Sequence, residues 1–234
     1  MNIDIVIPSY NRTEKLKLCL ESIQKARKNL EKGDSAIIHV YFSRIEDLNN
    51  MAKIISPSWT LQYKLYEPDF KASQFWNDFL ANIDSQGLCY LTDDIEMDKD
   101  CLMNAFKVMK EKKYDCVIGL HTTNGSEDKV CKASHGIVGI NFILRFANRE
   151  VFCPDYYCLY VDEELYRYSS ELGKFVACYE ATITHAHPDF TKKPPDATHV
   201  HNRRYKQRDV AVYNQRQVKG LLWGKSCELI GEIE

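Results

Sequence analysis

Ile5-Val6-Ile7-Pro8-Ser9-Tyr10-Asn11-Arg12 opens the chain with a β-branched run that stops at a proline and gives way to polar residues. The run from Ile3 to Ile7 predicts a buried strand, and Pro8, which has no N–H to offer a ladder, marks its end. Asn11, with Glu14 three residues on, predicts the cap of a helix whose apolar positions Leu16, Leu20 and Ile23 keep helical spacing up to Gly33-Asp34. The same unit of strand, loop and helix then recurs. Ala36 to Phe42 predicts a second strand, Ile45 to Ile55 a helix ended by Ser56-Pro57, and Leu61 to Tyr66 a third strand. Phe75, Phe79 and Ile83 mark another helix. An apolar stretch with Leu88, Tyr90 and Leu91, a helix with Leu102, Phe106 and Met109 on one face, and the strand Cys116 to Leu120 follow. Strands separated by helices imply an α/β protein with a mainly parallel central sheet and helices on both faces. Sheets of this kind bind ligands beyond the carboxyl ends of their strands.

Leu91-Thr92-Asp93-Asp94-Ile95-Glu96 puts two adjacent carboxylates where such a strand stops. Hard cations such as Mg²⁺ and Mn²⁺ take oxygen ligands and keep positions open for substrate phosphates, so an acidic turn at this edge suits a nucleotide diphosphate. Asp-Asp after a strand is also a common turn or helix-cap signal. Further on, Gly136 and Gly139 flank an apolar stretch, Asp162 to Leu172 reads as a helix and Phe175 to Thr184 as a strand.

The composition fits an ordinary globular protein: 234 residues, 44% hydrophobic and 27% charged, enough for one large domain with an appendage. No apolar stretch approaches the roughly 20 residues that span a bilayer, and Met1-Asn2-Ile3-Asp4 lacks a basic leader, so a cytoplasmic protein is expected. Nine cysteines without a Cys-x-x-Cys pair read as buried thiols in a reducing compartment. A net charge of −2 argues against a general nucleic-acid binder. The balance is uneven, however: between Asp189 and Lys225 there are nine Lys or Arg and three Asp. That basic segment suits an acidic acceptor, peripheral contact with an anionic membrane, or a solvated helical face. Its Val210, Val212, Val218, Leu221 and Leu222 would alternatively pack it onto the core or onto a second copy of the chain.

The octapeptide at residues 5 to 12 resembles the opening of inverting GT-A glycosyltransferases of the family 2 type, whose nucleotide-sugar-binding half begins V-x-I-P-x-Y-N-R. The resemblance implies a GT-A (Rossmann-like) fold with Pro8, Tyr10 and Arg12 along the nucleotide pocket. The family's D-x-D motif corresponds to Thr92-Asp93-Asp94, without the first acidic residue; Asp94 then matches the metal ligand, and Asp93 faces the ribose or the metal's water shell. Asn77, in Phe75-Trp76-Asn77, resembles the Asn of the helix before that motif. The family's E-D-x-D-L motif falls on Val161-Asp162-Glu163-Glu164-Leu165, which makes Asp162 the expected catalytic base; an acidic first helical turn would show the same residues. His185, with His187 second, matches the His near the metal or diphosphate, although a structural pair reads the same way. Lys192 and Lys193 would close over the diphosphate. Ser134-His135-Gly136 falls at the acceptor-side loop, and Tyr156, Tyr157 and Tyr160 are candidates for stacking on a sugar or for the core.

The motifs match over roughly residues 1–190, expected as a donor half, 1–120, and an acceptor half, 121–190, followed by a basic tail, 191–234. The implied activity is transfer of a sugar from a nucleotide-diphosphate donor, on family grounds a UDP-sugar, to the hydroxyl of a glycan, lipid-linked or other acceptor, with Mn²⁺ or Mg²⁺ as cofactor. A nucleotidyltransferase would instead call for a glycine-rich phosphate loop, which Pro8 to Arg12 lacks. A binding module without turnover would keep the same pocket.

Overall fold

The computed structural model describes residues 1–54, 61–66, 71–123, 131–185 and 194–225. Strand β1 (Asn2–Ser9) leads into α1 (Thr13–Arg27), β2 (Ser35–Phe42), α2 (Ile45–Ile54), β3 (Leu61–Leu65) and α3 (Ala72–Leu80). These are followed by β4 (Gly87–Tyr90), β5 (Ile95–Met97), α4 (Cys101–Glu111), β6 (Val117–Thr123), β7 (Gly136–Gly139) and α5 (Ile140–Ile143). The remaining elements are α6 (Val161–Glu171), β8 (Phe175–His185), α7 (Ala197–Arg203) and α8 (Lys206–Val218).

The strands form one sheet in the order β3-β2-β1-β4-β7-β6-β8-β5. Only β7 and β5 run against the others, so the sheet is mostly parallel, as the alternation of strands and helices implies. Alternation along β1 divides the core. Ile3, Ile5 and Ile7 pack on Leu16, Leu20 and Ile23 of α1 and Phe106 and Met109 of α4, while Val6 faces Phe75 and Trp76 of α3 with Leu165 and Tyr168 of α6. Both faces are thereby covered.

Two details differ from the sequence expectation, and the tyrosines it left open between a sugar and the core have protein partners. Asn11 does not cap α1: its φ of +53° makes the tight turn after β1, which Asn tolerates better than most residues, and its N–H donates to Asp47 Oδ2 at 2.8 Å. The segment around Gly136 is not a loop but strand β7, inserted between β4 and β6. Its glycine answers to the neighbouring backbone, since a Cβ at Gly136 would sit 2.3 Å from the Ile118 carbonyl oxygen. The tyrosines before α6 are already engaged. Tyr156 is buried with its hydroxyl donating to Glu164 at 2.6 Å, Tyr157 stacks on Tyr205 at 4.1 Å, and Tyr160 stacks on Tyr213 at 4.3 Å.

Those stacks dock the described part of the basic tail, residues 194–225, onto the body of the protein. Its apolar residues contribute unequally: Leu222 is buried, whereas Val218 is 88% exposed. Buried charge does more. Asp209 of α8 accepts the backbone N–H groups of Tyr157, Cys158 and Leu159 at 2.9 to 3.0 Å. Arg216 forks onto Glu164, Nε to Oε1 at 2.6 Å and Nη2 to Oε2 at 2.9 Å, and Glu164 is only 1% exposed. Removing one partner of a buried pair strands the other. Arg216→Met is therefore expected to cost about 3–5 kcal/mol in urea unfolding; a loss below about 1 kcal/mol would show that Tyr156 and Trp223, the other donors to Glu164, suffice.

Candidate active site

β1, β4 and β8 point their carboxyl ends to one edge of the sheet, and the polar residues that follow them gather there. The turn after β1 supplies Ser9, Tyr10 and Arg12, and the turn after β4 supplies Thr92, Asp93 and Asp94. β5 follows at once and pairs antiparallel with β8, with Ile95 opposite His185, so the ladder itself brings Asp94 to His185.

Arg12 is the hub. Its Nη1 donates to Asp93 Oδ1 at 2.8 Å and lies 3.0 Å from Asp94 Oδ2, while Nε and Nη2 each reach an oxygen of Asp196 at 3.0 Å. The guanidinium is buried; burial opposes its charge, but Asp93 and Asp94 more than offset this and raise its pKa. Asp93 is fully enclosed, with Ser9 Oγ donating to its second oxygen at 2.8 Å. Burial pushes its carboxyl up to about 6, against the pull of Arg12. Asp94 ends on the other side. Burial opposes its charge too, but the hydrogen bond from His185 and the charge of Arg12 prevail and hold the carboxyl well below the ordinary carboxylate range. His185 Nε2 is 3.2 Å from Asp94 Oδ1, which also accepts the Thr92 hydroxyl at 2.9 Å.

Because Thr92 spends its proton on Asp94, His135 Nε2, 2.9 Å from the same hydroxyl, is the donor of that pair. Burial pushes His135 down to about 3, so the ring is neutral at pH 7, and it meets the His185 ring edge to face at 5.0 Å.

Two adjoining cavities share Arg12, Trp76 and Thr92 on their walls. Pro8, Ser9, Tyr10 and Asp93 line the first; Asp94, His135, Asp162 and His185 line the second. Asp162 stands in the first turn of α6, half-buried, with hydrogen bonds from the Ser134 hydroxyl and from its own and the Glu163 backbone N–H groups. Burial dominates and raises its pKa, and Glu163 adds to the shift. Asn77 lies elsewhere: its amide brackets the Phe152 backbone, donating at 2.6 Å and accepting at 3.0 Å, and so pins the segment before α6 to α3. His187, Lys192 and Lys193 fall outside the described residues.

The sequence reading missed the residues that the tail brings to this edge. Asp196, the N-cap of α7, accepts the His199 N–H at 3.0 Å, and Thr198 Oγ1 donates to the Tyr10 carbonyl. His199 lies 2.8 Å from Arg12 Nη2 and 3.9 Å from Asp94 Oδ2, and His201 sets its ring 4.8 Å from that of Tyr10. Asp196 followed three residues later by His199 is a legible capping signal, but nothing local links it to Arg12.

The donor set at Asp94 fits a divalent cation in chemistry. Asp94 Oδ2 is buried without a well-aligned hydrogen bond, and imidazole nitrogens stand on either side of the carboxylate. Among the described residues, no three such side chains converge on one point, so further ligands would come from a substrate's phosphates.

The fold is of the GT-A, Rossmann-like kind, as its likeness to solved structures shows. The chain is similar to S. aureus TarS 1-349, with a TM-score of 0.61 over 82% of this chain and 62% of that chain, and 12% sequence identity. The TarS 1-349 structure in complex with UDP-GlcNAc is matched over 84% of this chain with the same TM-score, 0.61. A mannosyltransferase from Pyrobaculum calidifontis, PcManGT, in complex with GDP-Man and Mn²⁺, gives a TM-score of 0.64 over 93% of this chain and 64% of that one, again at 12% identity. The chain thus spans about three fifths of the length of these structures, and what it shares with them is the fold. No protein-family model and no curated protein sequence matches it.

Proposed function

We propose that the chain is a nucleotide-sugar glycosyltransferase that works by a single, inverting displacement. The observation that carries this reading is that Asp94 and Asp162 open onto one cavity while Pro8, Tyr10, Arg12 and Asp93 surround the cavity beside it. The nucleoside occupies the first cavity and the diphosphate lies over Arg12 toward Asp94. Asp94 and His185 would hold Mn²⁺ or Mg²⁺, which when bound would supply positive charge to the departing diphosphate. Lys192 and Lys193 are assigned to the same anion. Asp162 accepts the proton of the acceptor hydroxyl as its oxygen attacks the anomeric carbon from the opposite face. Its raised pKa favours this role, because a carboxylate destabilised by burial is the stronger base.

UDP is the donor nucleotide we favour, and the acceptor is a glycan, lipid-linked or other hydroxyl compound. The fold likeness to structures that hold UDP-GlcNAc and GDP-Man supports a nucleotide-sugar donor. Among the described residues no helix is long and apolar enough to cross a membrane. The basic face of the tail remains the surface proposed to meet an anionic acceptor, a membrane or a second copy.

A panel of UDP- and GDP-sugars, each with Mn²⁺, Mg²⁺ or EDTA, tests this reading. Cation-dependent release of nucleoside diphosphate and a product of inverted anomeric configuration by NMR are expected. Release of sugar 1-phosphate, with the nucleoside monophosphate transferred, would make the protein a nucleotidyltransferase, donor binding without turnover a binding module, and retention of configuration would remove Asp162 as base.

A further inference from the structure

We propose that Asp196 is a positioning residue of the donor site, acting through Arg12 to keep the acidic turn charged enough to take a cation. The proposal rests on the reading of the cleft given above. A guanidinium has two forks, and which one meets a carboxylate decides how fully that carboxylate is neutralised. Asp196 takes the Nε and Nη2 fork, with both contacts at 3.0 Å. Only Nη1 is left to serve Asp93 at 2.8 Å and Asp94 at 3.0 Å. One terminal nitrogen and its single share of the guanidinium charge are thus divided between two carboxylates.

The charge count agrees. Asp93, Asp94 and Asp196 surround Arg12, and among the described residues the one other cation in direct contact with them, besides imidazoles, is Lys15, 2.6 Å from Asp196 and partly exposed. An excess of negative charge therefore stays at the turn, where Asp94 Oδ2 lacks an aligned donor. Without Asp196 the guanidinium is released to turn its Nη1 and Nη2 fork onto Asp93 and Asp94 and to occupy the charge that a cation would meet. The same carboxylate caps α7, which places Thr198 and His201 against Tyr10. Arg12 orientation and the α7 wall are thus tied to one residue.

Cap and charge can be separated, because Asn and Ser cap a helix about as well as Asp but carry no charge. The test measures Mn²⁺ affinity by electron paramagnetic resonance in the presence of saturating UDP, and UDP affinity by calorimetry, for the full chain and for Asp196→Asn and Asp196→Ser. Residues that orient a metal's ligands from behind typically change metal affinity by about 10- to 100-fold. We expect a loss of that size in both variants with an unchanged melting temperature. In the Arg12→Gln background Asp196→Asn should cause no loss of Mn²⁺ affinity, since the carboxylate acts through the guanidinium.

Wild-type affinity for Mn²⁺ in both variants would overturn the proposal while leaving the donor site intact. Full additivity with Arg12→Gln, or a loss that only accompanies a lowered melting temperature, would overturn it as well by reducing Asp196 to a structural cap. A wild-type chain that binds neither Mn²⁺ nor nucleotide would overturn the donor-site reading itself, and the role of Asp196 with it.

Discussion

Asp162→Asn is expected to retain the fold and donor affinity while turnover falls about a hundred- to ten-thousandfold, the usual share of general-base catalysis. The amide keeps the shape and still accepts the Ser134 hydroxyl and the backbone N–H groups at the head of α6, but it takes no proton. Donor titration and single-turnover transfer, measured side by side, separate the two effects. More than about a tenth of wild-type turnover in the variant would shift the role to Glu163. The pH profile gives a second handle. A base must be ionised to act, and burial raises the Asp162 carboxyl above the ordinary aspartate range, so wild-type turnover should fall with decreasing pH at an acid limb above that range. That limb should vanish from the residual activity of Asp162→Asn.

Asp94→Ala is expected to lower turnover by about a thousandfold or more, through loss of several kcal/mol of leaving-group stabilisation. It should also abolish cation-dependent nucleotide binding. The substitution removes a carboxylate held ionised at neutral pH, the acceptor for Thr92 and the partner of His185. Calorimetry of UDP with and without Mn²⁺ is the measurement, and an unchanged affinity in the variant would exclude Asp94 from cation binding. Asp93→Ala should behave differently. Its carboxylate is spent on Ser9 and Arg12, so its loss should disorder the turn after β1 and weaken the nucleotide with either cation.

Much of this architecture is written locally in the chain. A β-branched run before Pro8, apolar positions at helical spacing and two carboxylates after an apolar stretch are short-range signals that the fold obeys. They place Arg12, Asp94 and His185 at one sheet edge because parallel strands put all their carboxyl ends together. What stayed hidden depends on partners far along the chain. Gly136 reads as a loop residue until Ile118 is seen to press on it. The tail reads as a basic surface because cations outnumber the acids, yet two of its few acids, Asp196, part-exposed, and Asp209, buried, do the docking against donors that no periodicity reveals. Tyr157 and Tyr160 illustrate the same limit: an aromatic before an acidic helix start suits a sugar or a protein ring equally well, and here Tyr205 and Tyr213 each stack on one of them while both still line the cavities.

The pairing of Arg12 with Asp196 spans 184 residues, and that of Glu164 with Arg216 spans 52. During synthesis from the amino terminus, the strands and helices through β8 leave the ribosome before either pair can form. Until α7 and α8 emerge, the nascent chain carries a buried arginine, a buried glutamate and three backbone N–H groups at Tyr157 to Leu159 that await their partners. Closing such distant contacts is slow relative to local structure, so the candidate site at the sheet edge should be the last part of the molecule to set. A refolding chain ought then to regain helical circular dichroism well before it regains the ability to bind a nucleotide.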